Sequence, residues 1–90
     1  MHAVFATLTI DPAQAGAARS MLTEQVVPML KATPGFVGGY WCDPIDGKAI
    51  SMVAYDTEEN ARSAAPPVGP APAPGVVIES VEIREVAAHA

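Results

Sequence analysis

The side chains of this sequence that could take part in chemistry are few and widely separated. The two histidines, His2 and His89, lie near opposite ends of the chain, and Cys42 is the only cysteine. Because no two histidines stand at ligand spacing and Cys42 has no partner cysteine, we expect neither a metal site nor an internal disulfide. The apolar surroundings of Cys42 along the chain are typical of a buried, unreactive thiol rather than a nucleophile.

The acidic residues and the paired glycines have local structural explanations. The Glu58-Glu59 pair stands where a helix starts, at the end that favours negative charge. Gly38-Gly39 lies inside a strand pattern and precedes no helix start. We therefore predict a bulge or a close helix contact there rather than a phosphate-binding loop.

Aromatic and hydroxyl side chains supply the best candidates for a binding site. Aromatic clusters are more often part of a core than of a pocket. Buried tyrosines need hydrogen-bond partners, however, so the two tyrosines and the serine are also compatible with a binding pocket. No residue stands out as catalytic. The candidate pocket residues are Tyr40, Trp41, Tyr55, Ser51, Asn60, Arg62 and His2.

Composition favours one small domain with more apolar surface than it can bury alone. The chain has 90 residues, half of them hydrophobic and only 17% charged, and so short a chain has a high ratio of surface to volume. Either a second copy covers part of this surface, or alanine and valine raise the figure without forming a patch. We favour the second copy because of the strand faces described below.

Charge and hydropathy exclude several classes of partner. The net charge is −5, and the five basic residues are scattered rather than clustered. We therefore expect neither nucleic acid nor a membrane as a partner. The absence of a basic start followed by an apolar run predicts no signal peptide, and hence a cytoplasmic protein.

The first two elements are a strand and a long helix. His2 to Ile10 is rich in β-branched and aromatic residues and predicts the first strand. A helix is expected from Asp11, which is placed as its cap, to about Ala32. Pro28 is expected to kink it near Val27, a residue that the helical spacing places on the polar side.

A hairpin follows, with strands over Phe36 to Asp43 and Ala49 to Tyr55. A two-residue turn at Asp46-Gly47 and a four-residue loop from Pro44 to Gly47 predict the same sharing of faces, whereas a loop of three or five residues would change it. One predicted face combines Phe36, Gly38, Tyr40 and Cys42 with Ser51, Val53 and Tyr55, and the other combines Val37, Gly39 and Trp41 with Ile50, Met52 and Ala54. Neither face is polar, so both need to be covered.

The remaining segments are a short helix, a proline-rich stretch and a last strand. The helix is expected to be capped by Asp56 and to end before Pro66. The stretch from Pro66 to Gly75 is either a docking site for a proline-binding domain or, as we favour, a stiff connector back to the sheet. Val76 to Val86 predicts the last strand, with charges typical of a sheet edge.

The order β-α-β-β-α-β over residues 1–90 predicts an α+β, ferredoxin-like domain. In this fold a four-stranded antiparallel sheet carries both helices on one face. Since the other face is apolar here, we expect two copies to pack sheet to sheet as a homodimer with a barrel-like centre.

Two passages resemble the dimeric α/β-barrel superfamily, and within it the antibiotic biosynthesis monooxygenase-like domains. They are VVPMLKATPGFVGGYW and VAYDTEENARSAA, and by element order the likeness extends over the whole chain. The resemblance implies a homodimer with a pocket between sheet and helices, and cofactor-independent oxygenation of hydrophobic aromatic metabolites. Haem degradation is disfavoured because the segment that corresponds to the haem-binding helix, Glu58 to Ala65, contains no histidine.

The alternative is a ligand-binding or structural dimer without turnover. A cavity of a few hundred Å³ lined by tyrosine and tryptophan would favour a small-molecule site, whereas a fully packed interior would favour a purely structural role.

Overall fold

The computed structural model describes residues 1–90 and contains one antiparallel sheet with helical segments on one of its faces. The sheet has the strand order β2-β3-β1-β5-β4. Its strands are β1 (His2–Ile10), β2 (Phe36–Trp41), β3 (Lys48–Tyr55), β4 (Gly69–Pro70) and β5 (Val76–Glu85). This α+β arrangement is compatible with a ferredoxin-like fold, and the four long strands lie within two residues of their predicted positions.

The fifth strand corrects the predicted count of four. Gly69 and Pro70, inside the proline-rich segment, pair with Ile78 and Val77 at the edge of the sheet. Proline is tolerated there because its nitrogen, which has no proton to donate, can face solvent on an edge strand. The segment from Pro66 to Gly75 thus connects back to the sheet, as the favoured interpretation has it.

The first helical stretch contains a π-helical segment directly before Pro28. It runs through a 3-10 turn (Pro12–Gln14), α1 (Ala15–Met21), a π-helix (Leu22–Val26) and α2 (Val27–Lys31). In an α-helix the Pro28 ring would collide with the carbonyl group four residues earlier. The wider π turn, in which Val27 N–H donates to the Leu22 carbonyl, relieves that collision and is the form that the predicted kink takes.

The short helix predicted after the hairpin is α3 (Glu58–Ala64), and it is capped by a different residue from the predicted one. The Thr57 hydroxyl accepts a hydrogen bond from the Asn60 N–H at 3.1 Å. Asp56 instead accepts from the Asn60 side-chain amide at 2.8 Å. The capping residue therefore lies one position later than expected, because Thr57 takes the extended conformation that a cap requires.

The hairpin tip forms as predicted, but the strands behind it are out of the predicted register. Ile45 and Lys48 pair across the Asp46-Gly47 turn. Behind this bridge, Trp41 pairs with Ser51, so that three residues of the first strand (42–44) stand opposite two of the second (49–50).

The extra residue reverses the predicted sharing of faces, since side chains alternate along a strand. Trp41 lies on the same face as Ser51, and Tyr40 lies on the same face as Met52. A second irregularity, between Phe36 and Gly38, returns Phe36 to the face of Tyr55, as predicted.

A further bulge arranges the apolar residues of β5. Thr7 pairs with Ser80 and Leu8 with Ile78, which leaves Glu79 as the extra residue. As a result Ile78 and Val81, which differ in sequence parity, face the helices together.

The core beneath the helices is small. It is built from Val4, Val53, Tyr55 and Ala61, with Phe36 and other half-buried apolar residues packed around it. Ten of the ninety residues are buried, and half of these ten are alanine. So little apolar volume leaves room elsewhere between helix and sheet.

The opposite face of the sheet, here called the open face, carries no helix. Tyr40, Met52 and Phe5 are neighbours across β2, β3 and β1 on this face. Tyr40 is 72% exposed and Ile50, further along β3, is 49% exposed. The β5 side of the face is polar, and there Arg84 donates a 2.7 Å hydrogen bond to Glu82. This bond, together with the Glu82 charge, raises the pKa of Arg84 above its ordinary value.

The backbone conformation at position 35, where the chain reverses between α2 and β2, requires glycine. Its φ is +76°, and a Cβ atom there would collide with the Asp56 carboxylate and the Asn60 amide. We expect Gly35→Ala to lower the free energy of unfolding by about 1–2 kcal/mol, because L-residues are disfavoured in the left-handed region.

Gly16→Ala is the matched control, because it lies in α1 and a Cβ there would touch nothing. Alanine favours the helix over glycine, so we expect a gain of up to about 1 kcal/mol. Urea denaturation monitored by circular dichroism measures both, and equal stabilities of the two variants would contradict the assigned Gly35 conformation.

Candidate functional site

A large cleft separates the first helical stretch from the sheet. Its volume is about 1060 Å³, and 22 of its 32 lining residues are hydrophobic. The sheet contributes residues of β1, β2, β3 and β5, and the proline-rich segment forms one wall. It exceeds the usual range for small-molecule pockets of about 300–1,000 Å³ only slightly.

The cleft exists because the helical stretch is only loosely packed on the sheet. Ala18 is the only buried residue of this stretch, whereas Leu22, Val26 and Leu30 are half-buried. All four line the cleft. Their apolar side chains therefore face a surface that is partly open space.

The π-helical segment changes which side chains reach the cleft. Val27, which the sequence places among polar residues, is half-buried and lines the cleft together with Val26. An α-helix would separate these neighbours by about 100° around its axis, whereas the π turn shifts the phase of the helix at this point.

Three of the predicted pocket residues meet in the cleft. Trp41, Ser51 and Tyr55 all line it, from the adjacent strands β2 and β3. Tyr55 is 1% exposed, and its hydroxyl lies 3.2 Å from the Thr33 hydroxyl. Its ring meets that of Phe36 edge to face, with the centroids 6.1 Å apart. Tyr55 is thus both a core residue and part of the cleft wall.

The other four predicted residues lie outside the cleft lining. Tyr40 is on the open face, and Asn60 is engaged in capping α3. The exposed Arg62 pairs with Glu58 one helical turn away. His2 is half-buried beside Tyr55 on β1, and its Nδ1 atom is buried without a hydrogen-bond partner.

Two charged residues at the cleft were missed by sequence reasoning. Arg19 of α1 and Asp43 of the hairpin loop face each other across it, with the nitrogen and oxygen 3.4 Å apart. Both side chains are about two-thirds exposed, so the pair contributes little stability. No sequence signal joins two residues that are 24 positions apart and belong to different elements.

The thiol of Cys42 is exposed, which corrects the prediction that it is buried. Cys42 directly follows the last residue of β2 and belongs to the bulge at residues 42–44. No group of three or more histidine, cysteine, aspartate or glutamate side chains lies close enough together to hold a metal ion.

The polar groups of the cleft are therefore sparse. They belong to Arg19, Asp43, Thr23, Ser51, Cys42, Trp41 and Tyr55, and no imidazole is among them. This lining can hold an apolar molecule and orient one or two polar substituents. None of the helical segments combines the length and apolar character that a bilayer crossing requires.

Comparisons with protein-family models, with curated proteins and with solved structures find no significant match for this chain.

Proposed function

We propose that the protein binds a hydrophobic, aromatic small molecule in the cleft. The supporting observation is the combination of a volume of about 1060 Å³, a mainly apolar lining and the side chains of Trp41 and Tyr55. Small-molecule sites generally combine an apolar wall with a few polar groups that orient the ligand.

Cofactor-independent oxygenation of the bound molecule is the second candidate function. It follows from the resemblance to antibiotic biosynthesis monooxygenase-like domains, and the shared position of Trp41, Tyr55 and Ser51 in one cleft favours it. Such a reaction on a phenol needs the phenolic proton to be removed. His2, the predicted pocket residue whose imidazole could accept this proton, is not among the lining residues, and the Asp43 carboxylate in the lining is paired with Arg19. The proton would therefore pass to water. Binding without turnover is therefore the function that the geometry supports best.

We propose further that the protein is a homodimer joined through the open face. Tyr40, Met52 and Phe5 form a continuous apolar row on this face, and no helix covers it. A second copy presents the same row, so a two-fold arrangement would cover both at once. The small core beneath the helices makes this additional burial more important for stability.

Ligand binding can be tested by titration with 1-naphthol, followed by the fluorescence of Trp41, the only tryptophan. We expect saturable quenching. Leu22→Asp is expected to weaken binding by about tenfold or more, because it places a charge in the apolar wall.

Gln25→Asp is the matched control, since it adds the same charge to the same π-helical segment at an exposed position outside the cleft lining. Equal affinities of the two variants, or no saturation with the unchanged protein, would contradict the proposal. An oxygen electrode in the same samples decides between binding alone and oxygenation.

A further inference from the structure

Two adjacent glycines of β2 have opposite surroundings. A Cβ atom at Gly39 would lie 2.9 Å from Cη2 and 3.2 Å from Cζ3 of the Trp41 ring, and 3.0 Å from the Met52 carbonyl oxygen. A Cβ atom at Gly38 would have nothing within 4 Å. Gly39 is therefore in close contact with the indole, whereas Gly38 is not.

The contact defines how the Trp41 side chain lies. Residues 39 and 41 point to the same face of the sheet, because side chains alternate along a strand. The outer edge of the indole reaches back to Gly39, so the six-membered ring occupies the space that a side chain at position 39 would fill. Trp41 also lines the cleft, and it therefore covers this part of the sheet as one of the cleft walls.

We propose that Gly39 is the positioning residue of the site: by leaving room for the Trp41 indole, it creates a flat wall that selects planar aromatic ligands. This inference rests on the proposed binding function and adds the shape of the ligand. A side chain at position 39 would contact both the indole and the Met52 carbonyl oxygen. Because the carbonyl belongs to the backbone and cannot move easily, the indole is the group that is pushed away from the sheet and into the cleft.

Aromatic rings gain from stacking on an indole beyond the apolar area that they bury. A saturated ring system of similar size gains only the burial. The flat wall should thus discriminate between 1-naphthol and its saturated counterpart 1-decalol, and this discrimination should depend on Gly39.

The experiment compares Gly39→Ala with the matched control Gly38→Ala by calorimetric titration with both probes. The unchanged protein and the control are expected to prefer 1-naphthol to 1-decalol by about three- to tenfold, and Gly39→Ala is expected to lose this preference. The fluorescence emission maximum of Trp41 should shift in Gly39→Ala and remain unchanged in Gly38→Ala.

A second arm separates positioning from a general effect on the fold. In a Trp41→Phe background the smaller ring no longer reaches position 39, so adding Gly39→Ala should have no further effect on either affinity. Equal effects of the two alanine variants, or equal affinities of the unchanged protein for the two probes, would overturn this inference and leave the proposed function standing. Failure of the unchanged protein to bind either probe would overturn both.

Discussion

Replacing Tyr55 by alanine is expected to bring the protein to the edge of unfolding. Tyr55 is the largest fully buried side chain and joins the helices to the sheet through its contacts with Phe36, Val53 and Ala61. Removing a buried aromatic side chain typically costs about 3–5 kcal/mol. A domain of this size has a total stability of about 5–15 kcal/mol, so the loss is a large share of it.

Tyr55→Phe is the appropriate control, because it keeps the ring and removes only the hydroxyl that lies 3.2 Å from Thr33. We expect it to cost about 0.5–1.5 kcal/mol, the usual contribution of a single hydrogen bond. Urea denaturation at a single protein concentration measures both variants. If Tyr55→Ala were no more destabilising than Tyr55→Phe, the position of Tyr55 at the centre of the core would be wrong.

Introducing glutamate at Tyr40 and Met52 together is expected to separate the proposed dimer into monomers. The two residues are cross-strand neighbours on the open face, and in a two-fold interface the substitutions would bring four carboxylates together in an apolar contact. Burying unpaired like charges weakens association strongly, and we expect the dissociation constant to rise by a factor on the order of one hundred or more.

Sedimentation equilibrium is the direct measurement, since the monomer mass is 9.3 kDa. The unchanged protein should sediment with twice that mass and the double variant with the single mass. Val68→Glu is the control, because Val68 is 63% exposed and directly precedes β4, at the opposite edge of the sheet from β2. A monomeric unchanged protein at high concentration would refute the dimer, while the cleft and its ligand would be unaffected.

Much of the local structure was predictable because its causes lie within a few residues of each other. Asp11-Pro12 begins the first helical stretch, Asp46-Gly47 turns the hairpin, and Pro28 perturbs the helix. Caps, turns and proline effects depend on neighbouring backbone groups, so a single sequence contains the information. The same reasoning placed the four long strands and the element order.

The sharing of faces was not predictable to the same degree, because one extra residue reverses it. The bulges at residues 42–44 and at Glu79 are small local changes with consequences for whole strands. The bulge at residues 42–44 placed Trp41, rather than Tyr40, on the face of Ser51 that lines the cleft. Cross-strand pairing over the full sheet decided the register, which cannot be predicted from any short segment of the sequence.

The sequence alone thus determined the four long strands, the main helical stretches, their order and the apolar character of both faces of the β2–β3 hairpin, since these depend on local conformational preference and on periodicity. Only the tertiary structure decided where the cleft lies, which aromatic residues line it, and that Arg19 meets Asp43 across it. The physical reason is distance along the chain: residues from separate elements come together through the register of the sheet and the looseness of the helix packed on it.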